Sequence, residues 1–366
     1  LNLAALERPR VIPAAERFLH EAPITITAYP VHPGGGSTTA AGPHDFYSEA
    51  DYSWPDPKNP QGPYIGRDGY SYPGAFFDHR RAMWRFDTIV PTLTAAYLLT
   101  HDAKYAVKAR EHLRAWFITP ETRMNPSLNY AQAIPNKSAS TQYGIIDTLH
   151  LVEVARSVVV LRREHQLPAE EDAAITQWFA EYLQWMTTSS MGIKESNGHN
   201  NHSTAFWLQV AAFAQVTQNA TLLDEARRRF KTQLLPHMAA DGSFPAELHR
   251  SKAYGYSLFE LDLMVMLAHV ASTPADNLFA FTLPDGRSLK TALAYMYPYV
   301  LHKDTWPLPP DVNVFDLWPV RSPAFLYGGL AYDNPAYLAL WKSLNPSPTD
   351  QEILRNLPIR QPLLWQ

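Results

Sequence analysis

Ala95-Ala96-Tyr97-Leu98-Leu99-Thr100-His101-Asp102-Ala103 and, further along the chain, Ala211-Ala212-Phe213-Ala214-Gln215-Val216-Thr217-Gln218-Asn219-Ala220 are two versions of one pattern. Each closes an apolar helical run with a short polar turn and opens a second helix, through Arg110 in the first copy and Arg227 in the second. That unit is an αα-hairpin, and a repeated hairpin marks a repeated helical architecture. Two more hairpins are predicted at Ile145–Glu164 with Pro168–Thr188 and at Tyr256–Ala271 with Leu289–Val300. Pro168 falls in a first helical turn, where its missing N–H has no partner to lose. Convincing strand alternation is scarce. The expected fold is therefore all-α: an α/α toroid, an incomplete barrel of about six to seven helical hairpins around a deep central cleft. An irregular helical solenoid is the other way to stack the same units.

Residues from about Ala22 to Gly74 read differently. They are rich in Pro, Gly, Asp and aromatics and include Gly34-Gly35-Gly36 and Trp54-Pro55-Asp56-Pro57. Each proline removes a donor and restricts its predecessor, so long helices are excluded. Tyr47, Tyr52, Trp54, Tyr64, Tyr70 and Tyr72 make the stretch too aromatic for a disordered linker. A long irregular loop region packed on the helical body is expected, with one or two rings available to line the cleft. The expected organisation is a single domain over residues 1–366, with 22–74 as that loop region.

The formal charge of -4 and the absence of a long Lys or Arg run argue against a nucleic-acid surface. With no cysteine, disulfides, thiolate metal sites and a Cys nucleophile are excluded. No stretch approaches the roughly 20 apolar residues that span a bilayer, so no membrane partner is expected. The chain begins at Leu1, and any export signal would lie outside it.

The chemistry gathers in two segments. Gly198-His199-Asn200-Asn201-His202-Ser203 precedes a predicted helix, Thr204–Val216, so one polar residue is a natural N-cap. Two amides and two imidazoles exceed what a cap requires, and a helix N-terminus is a good place to hold a carboxylate. His199 and His202, with Glu195 nearby, raise a metal reading. Neither an H-E-x-x-H pattern nor a downstream carboxylate cluster supports it, so no metal or other cofactor is expected. The second segment runs from Asp241-Gly242, a turn signal, through Glu247, Arg250, Tyr254 and Tyr256 into the apolar helix Leu258–His269. Arg250 could simply pair with Glu247, and the tyrosines could simply pack. Amide, imidazole, guanidinium and phenol are also the groups needed to neutralise a sugar carboxylate and remove the proton beside it.

Asn200-Asn201-His202-Ser203, followed by Asp241-Gly242-Ser243-Phe244, Glu247, Arg250 and Tyr256, resembles the helical-toroid alginate lyases of polysaccharide lyase families five and thirty-eight. Trp54-Pro55-Asp56-Pro57, Asn125-Pro126-Ser127-Leu128-Asn129-Tyr130-Ala131-Gln132 and Tyr256-Ser257-Leu258-Phe259 are closer to family thirty-eight, and the resemblance spans about Tyr47 to Tyr332. It implies a lyase for an acidic polysaccharide. Asn201 and His202 would be the carboxylate-neutralising amide and imidazole, Arg250 the active-site arginine, and Tyr256 the catalytic phenol. In family five the tyrosine lies one residue further beyond the arginine, and Tyr254 is a competitor here. Tyr256 is preferred because it leads directly into the helix start. Further substrate contacts would come from Gln132, Asn129, Arg80 and Tyr254, with Trp318-Pro319-Val320-Arg321 framing another subsite.

The implied reaction is β-elimination. The developing enolate would be stabilised as in an oxyanion hole, Tyr256 would take the C5 proton and return one to O4, and Arg250 would favour its phenolate. His202 is the rival base. Alginate or its mannuronate-rich form is the first expected substrate and glucuronan a close rival. An α/α-barrel glycoside hydrolase would need two carboxylic acids from among Glu247, Asp241 and Asp311. A non-catalytic polysaccharide-binding protein is the remaining alternative. A periplasmic or secreted location is expected from the function alone.

Overall fold

The computed structural model describes residues Leu1–Gln366. Its helices are α1 (Leu3–Phe18), α2 (Asp78–Thr100), α3 (Ala103–Phe117), α4 (Leu151–Arg163), α5 (Ala169–Thr188), α6 (Ser190–Ser196), α7 (Asn201–Thr217), α8 (Ala220–Arg229), α9 (Pro245–Leu248), α10 (Ala253–Ala271), α11 (Leu289–Leu301), α12 (Pro323–Ala331), α13 (Pro335–Ser343) and α14 (Gln351–Arg355). The two quoted repeats are the α2–α3 and α7–α8 hairpins, and they turn by the same chemistry. His101 and Gln218 both sit in the left-handed region at φ 55°, their N–H groups donating to Tyr97 O and Ala214 O. Asp102 and Asn219 then cap the next helix through Lys104 N and Leu222 N. A left-handed stop followed at once by an Asx cap reverses the chain in very few residues.

Helices α2, α4, α7, α10 and α12 pack side by side in that order, while α3, α5, α8, α11 and α13 pair with them and keep exposed faces. The result is an α/α toroid built on five such hairpins rather than the six to seven expected, with α1 and the short helices accounting for the rest of the helical content. Helix α10 is buried on almost every face, as an inner helix flanked on all sides must be. The row stays open between α12 and α2. There the C-terminal segment Pro362–Trp365 packs against α1, α2 and α4, and Trp365 O accepts from His269 Nε2 at 2.9 Å.

Several boundaries differ from the sequence reading. Helix α1 was not among the predicted hairpins; it holds Pro9 and Pro13 within it, and Leu3, Glu7, Val11, Ala15 and Phe18 form one buried stripe that packs on α2. Helix α7 starts at Asn201 rather than Thr204, and α10 at Ala253. A 3₁₀ segment, Gln142–Thr148, precedes α4 where a continuous helix from Ile145 was predicted. The loop region is ordered by two small sheets. Strand β1 (Tyr47–Glu49) pairs parallel with β4 (Tyr130–Ala133), and β2 (Ser53–Trp54) pairs antiparallel with β3 (Ile65–Gly66). Glu49, buried, gathers the loop by accepting from Gly34 N, Phe76 N and the Tyr47 hydroxyl. No helix is long and apolar enough to cross a membrane.

The inner row also carries a titratable joint. Asp262 of α10 accepts from Ser322 Oγ and Ala324 N, both at 2.9 Å, and so caps α12 from its neighbour. Burial pushes its carboxyl up from 3.8 to about 7. A raised folded value favours the neutral form, so this contribution to stability is complete below the ordinary carboxylate range and is lost as pH rises through 7. Burial raises Glu153 to about 7 as well, so it adds to the same slope. Asp262→Asn should therefore flatten, without abolishing, the fall of Tm between pH 5 and pH 8; an unchanged slope would remove Asp262 as a proton holder.

Candidate active site

The N-terminal ends of α2, α4, α7 and α10 open onto one cleft of about 470 Å³, with Arg80, His150, Asn201, His202 and Tyr256 among its lining residues. Four helix N-termini bring partial positive charge to one place, which favours an anionic ligand. Ionised side chains do not add to this: Arg80, Arg250 and Arg355 face Asp51, Asp68 and Asp147 in the same lining.

At the start of α7 the cap is Asn200, whose Oδ1 accepts from His202 N at 3.2 Å. Asn201 and His202 therefore occupy the first turn. Buried Glu247 accepts from Asn201 N at 2.8 Å and from Asn201 Nδ2 at 2.7 Å, which fixes the amide and leaves one Nδ2 proton free. Glu195 lies 2.6 Å from His202 Nδ1. Accepting the Nδ1 proton, it sets the tautomer and leaves Nε2 without a protein partner. Neutral, that nitrogen is a base; protonated, it is a donor. Tyr143 packs edge-on to the imidazole at 5.0 Å.

Arg250 does not pair with Glu247 in the way the sequence suggested. Its Nε and Nη2 hold Asp68, at 3.1 Å and 2.6 Å, and its Nη1 has no protein partner. Burial opposes ionisation of Asp68, but Arg250 and the Ser251 N–H override it and hold the carboxyl at about 2. The guanidinium stands 4.3 Å from the centroid of the Tyr256 ring. Tyr256 Oη lies 2.6 Å from Tyr52 Oη, and Lys252 Nζ sits 5.2 Å and 5.3 Å from the Tyr256 and Tyr52 rings. Burial and the Tyr52 phenol raise Tyr256 well above the usual phenol range, and the opposing pull of Arg355 and Arg250 does not reverse that. The expected phenolate is thus not the form this surrounding favours.

Arg80 lines the cleft, yet its guanidinium is committed. It is 2% exposed, with Nε 2.9 Å from Asp147, Nη1 3.3 Å from Asp51 and Nη2 2.8 Å from Glu49 O. Asp51 also holds Arg355; burial would raise its carboxyl, but Arg355, Arg80 and Lys252 bring it to about 2. Gln132 reaches the cleft in a left-handed conformation, φ 47°, strain of order 1 kcal/mol for a non-glycine residue. Its backbone N–H donates to Ser48 Oγ and its Nε2 to Asp147 Oδ1. Asn129 lies outside the lining, its amide engaged with Trp185 Nε1 and Ser127 Oγ. Tyr254 also lies outside: fully buried, it donates to Tyr299 O at 3.0 Å and packs against Trp306 and Phe315.

Tyr52 is one of the loop rings that the sequence offered to a cleft; the residues that the sequence reading did not place here are Asp68, Glu195 in its pairing with His202, Asp51 and Arg355. The carboxylates considered for hydrolysis lie off the lining. Glu247 is bound to Asn201, Asp241 closes a turn through Ser243, and Asp311 caps α10 through Tyr254 N and Gly255 N.

Residues 35–306 match the family model described as Alginate lyase. No curated protein matches the chain. Among solved structures the chain is similar to a crystal structure of an alginate lyase from Bacteroides ovatus, at 27% identity and TM-score 0.84, over 99% of this chain and 93% of that one. It shares its fold with alginate lyase A1-III from Sphingomonas species A1, at 17% identity and TM-score 0.51, over 80% of this chain and 77% of that one. An A1-III variant complexed with tetrasaccharide matches at 14% identity and TM-score 0.53, over the same shares.

Proposed function

The chain belongs to the alginate lyase family and is a polysaccharide lyase, and on that premise we propose that it cleaves 1,4-linked uronate polymers, alginate first among them, by β-elimination beside Tyr256. Three groups without protein partners in the cleft that Tyr256 lines support this most directly: the free Asn201 Nδ2 proton, His202 Nε2 and Arg250 Nη1. Together they can receive the C5 carboxylate. With that charge neutralised, removal of the C5 proton no longer builds an uncompensated second charge, and each donor to the developing enolate contributes about 2.7 to 4 kcal/mol. The electron pair forms C4=C5, the C4–O4 bond breaks, and O4 takes a proton.

In mannuronate and glucuronate the C5 proton and O4 lie on one face, so Tyr256 serves as both base and acid. In guluronate they lie on opposite faces. There the Glu195-held tautomer favours a second reading, in which His202 Nε2 removes the proton and Tyr256, kept protonated by burial, supplies the one for O4. The same proposal takes residues 1–366 as one catalytic domain, supported by a hydrophobic cluster of 90 residues from Leu3 to Trp365. A periplasmic or secreted location suits such a substrate.

The test is ultraviolet absorbance of unsaturated product on polymannuronate, polyguluronate and glucuronan. Absorbance should rise on at least one of the alginate forms. New reducing ends without unsaturation would mean hydrolysis, and binding without product a polysaccharide-binding protein; either result overturns the proposal.

A further inference from the structure

A second groove, of about 410 Å³, adjoins the catalytic cleft, and Ile134 lines both. Its volume lies within the roughly 300 to 1,000 Å³ of ordinary ligand sites. The groove is built by the turn that follows β4 and by the glycine-rich loop before β1. Its polar lining includes Ser37, Thr38, Thr39, Asn136 and Lys137. The turn is pinned: Ile134 and Ser138 bridge, and Asn136, at φ 58°, donates its backbone N–H to Ser37 Oγ and its Nδ2 to Gly35 O and Gly62 O. Lys137, at the tip of this held turn, is exposed and forms no ion pair or side-chain hydrogen bond. Ser37 Oγ is spent on Asn136, but Thr38 keeps a free hydroxyl and Thr39 Oγ1, which accepts from Ala41 N, keeps its proton to donate; beside them one uncompensated ammonium suits a sugar ring carrying one carboxylate. The path from Gln132 to Lys137 is also continuous in sequence with the strand that serves the main cleft.

We infer that this groove is a substrate subsite, in which Lys137 meets the carboxylate of a uronate unit further along the polymer than the one being cleaved. The inference rests on the uronate-polymer reading of the main cleft. Occupancy of both sites requires a chain long enough to cross Ile134, so the contribution of Lys137 grows with substrate length. Because the ammonium is exposed, its worth is that of a surface ion pair, about a threefold change in KM.

The experiment measures KM and kcat for the parent, Lys137→Ala, Lys137→Glu and Lys137→Arg on uronate oligosaccharides of increasing length and on the polymer, at low and high salt. Lys137→Ala should raise KM on the polymer about threefold and Lys137→Glu about tenfold, less on the shortest substrate and less in salt, with Lys137→Arg restoring the parent value. An equal shift at every length, or none on the polymer, overturns the subsite while the parent remains an active lyase. A parent that forms no unsaturated product from any of these substrates overturns both readings. Equal Tm values for the variants and the parent would assign any KM change to binding rather than to folding.

Discussion

Tyr256→Phe is expected to lower kcat on polymannuronate by about 10² to 10⁴-fold, the range for loss of a positioned proton-transfer group. The substitution removes one oxygen and little else. The ring keeps its approaches to the Arg250 guanidinium and the Lys252 ammonium, and half-buried Tyr52 can turn its released hydroxyl to water. KM should therefore move far less than kcat. Tyr254→Phe is the control, because its hydroxyl is sealed against Tyr299 O. It should lose about 1 kcal/mol of stability and keep the parent kcat. Steady-state absorbance assays and thermal melts on both variants decide the matter. Full activity in Tyr256→Phe with loss in Tyr254→Phe would place the catalytic phenol wrongly.

Helical geometry explains why the sequence left both tyrosines open while the fold brings only Tyr256 to the cleft lining. Two residues apart on an α-helix means about 200° of rotation, so only one of Tyr254 and Tyr256 can face the cleft. Sequence spacing alone does not say which, since it carries no direction for α10 relative to α7. The hairpin repeat was legible because its turn chemistry is local: a left-handed residue and an Asx cap adjacent in the chain. Asn201, His202, Arg250 and Tyr256 were legible for a similar reason, lying at or just before the starts of two apolar helices. The meeting of Tyr52 and Arg355 with Tyr256 was not. They reach Tyr256 from positions 204 residues before it and, for Arg355, on the short helix α14 far beyond it, with no periodicity to announce either. Arg80 shows the converse limit. It was read as a substrate contact and does line the cleft, but its two buried aspartates, Asp147 and Asp51, come from the 3₁₀ segment and the loop, and their pairing directs it to building the cleft wall. The Asn201–Glu247 pair was hidden because a carboxylate that orients an amide looks, in sequence, like any surface partner for Arg250.

His202→Gln should separate the two eliminations. Glutamine can still donate an amide N–H towards a substrate carboxylate, but it cannot accept a proton from carbon. On polymannuronate, where the proposal makes Tyr256 both base and acid, the variant should stay within about tenfold of the parent, since donation partly survives. On polyguluronate, where the base must stand on the other face of the sugar from the acid, kcat should fall by about 10² to 10⁴-fold. Glu195→Gln tests the same division from behind: it weakens the hold on Nδ1–H without touching substrate, so it should lower guluronate turnover more than mannuronate turnover. Equal losses on the two polymers would reduce His202 to a carboxylate donor and leave Tyr256 as the base in both reactions. A parent that leaves polyguluronate intact would do the same, because a single-face elimination needs no second base. Burial bears on this through the proton on Tyr256. Raised as it is, the phenol is ready to donate to O4, and it becomes a base only when the arginines beside it and the bound, neutralised substrate together offset that burial. Single-face cleavage should therefore accelerate with rising pH further than opposite-face cleavage does, and parallel pH profiles on the two polymers would count against the division.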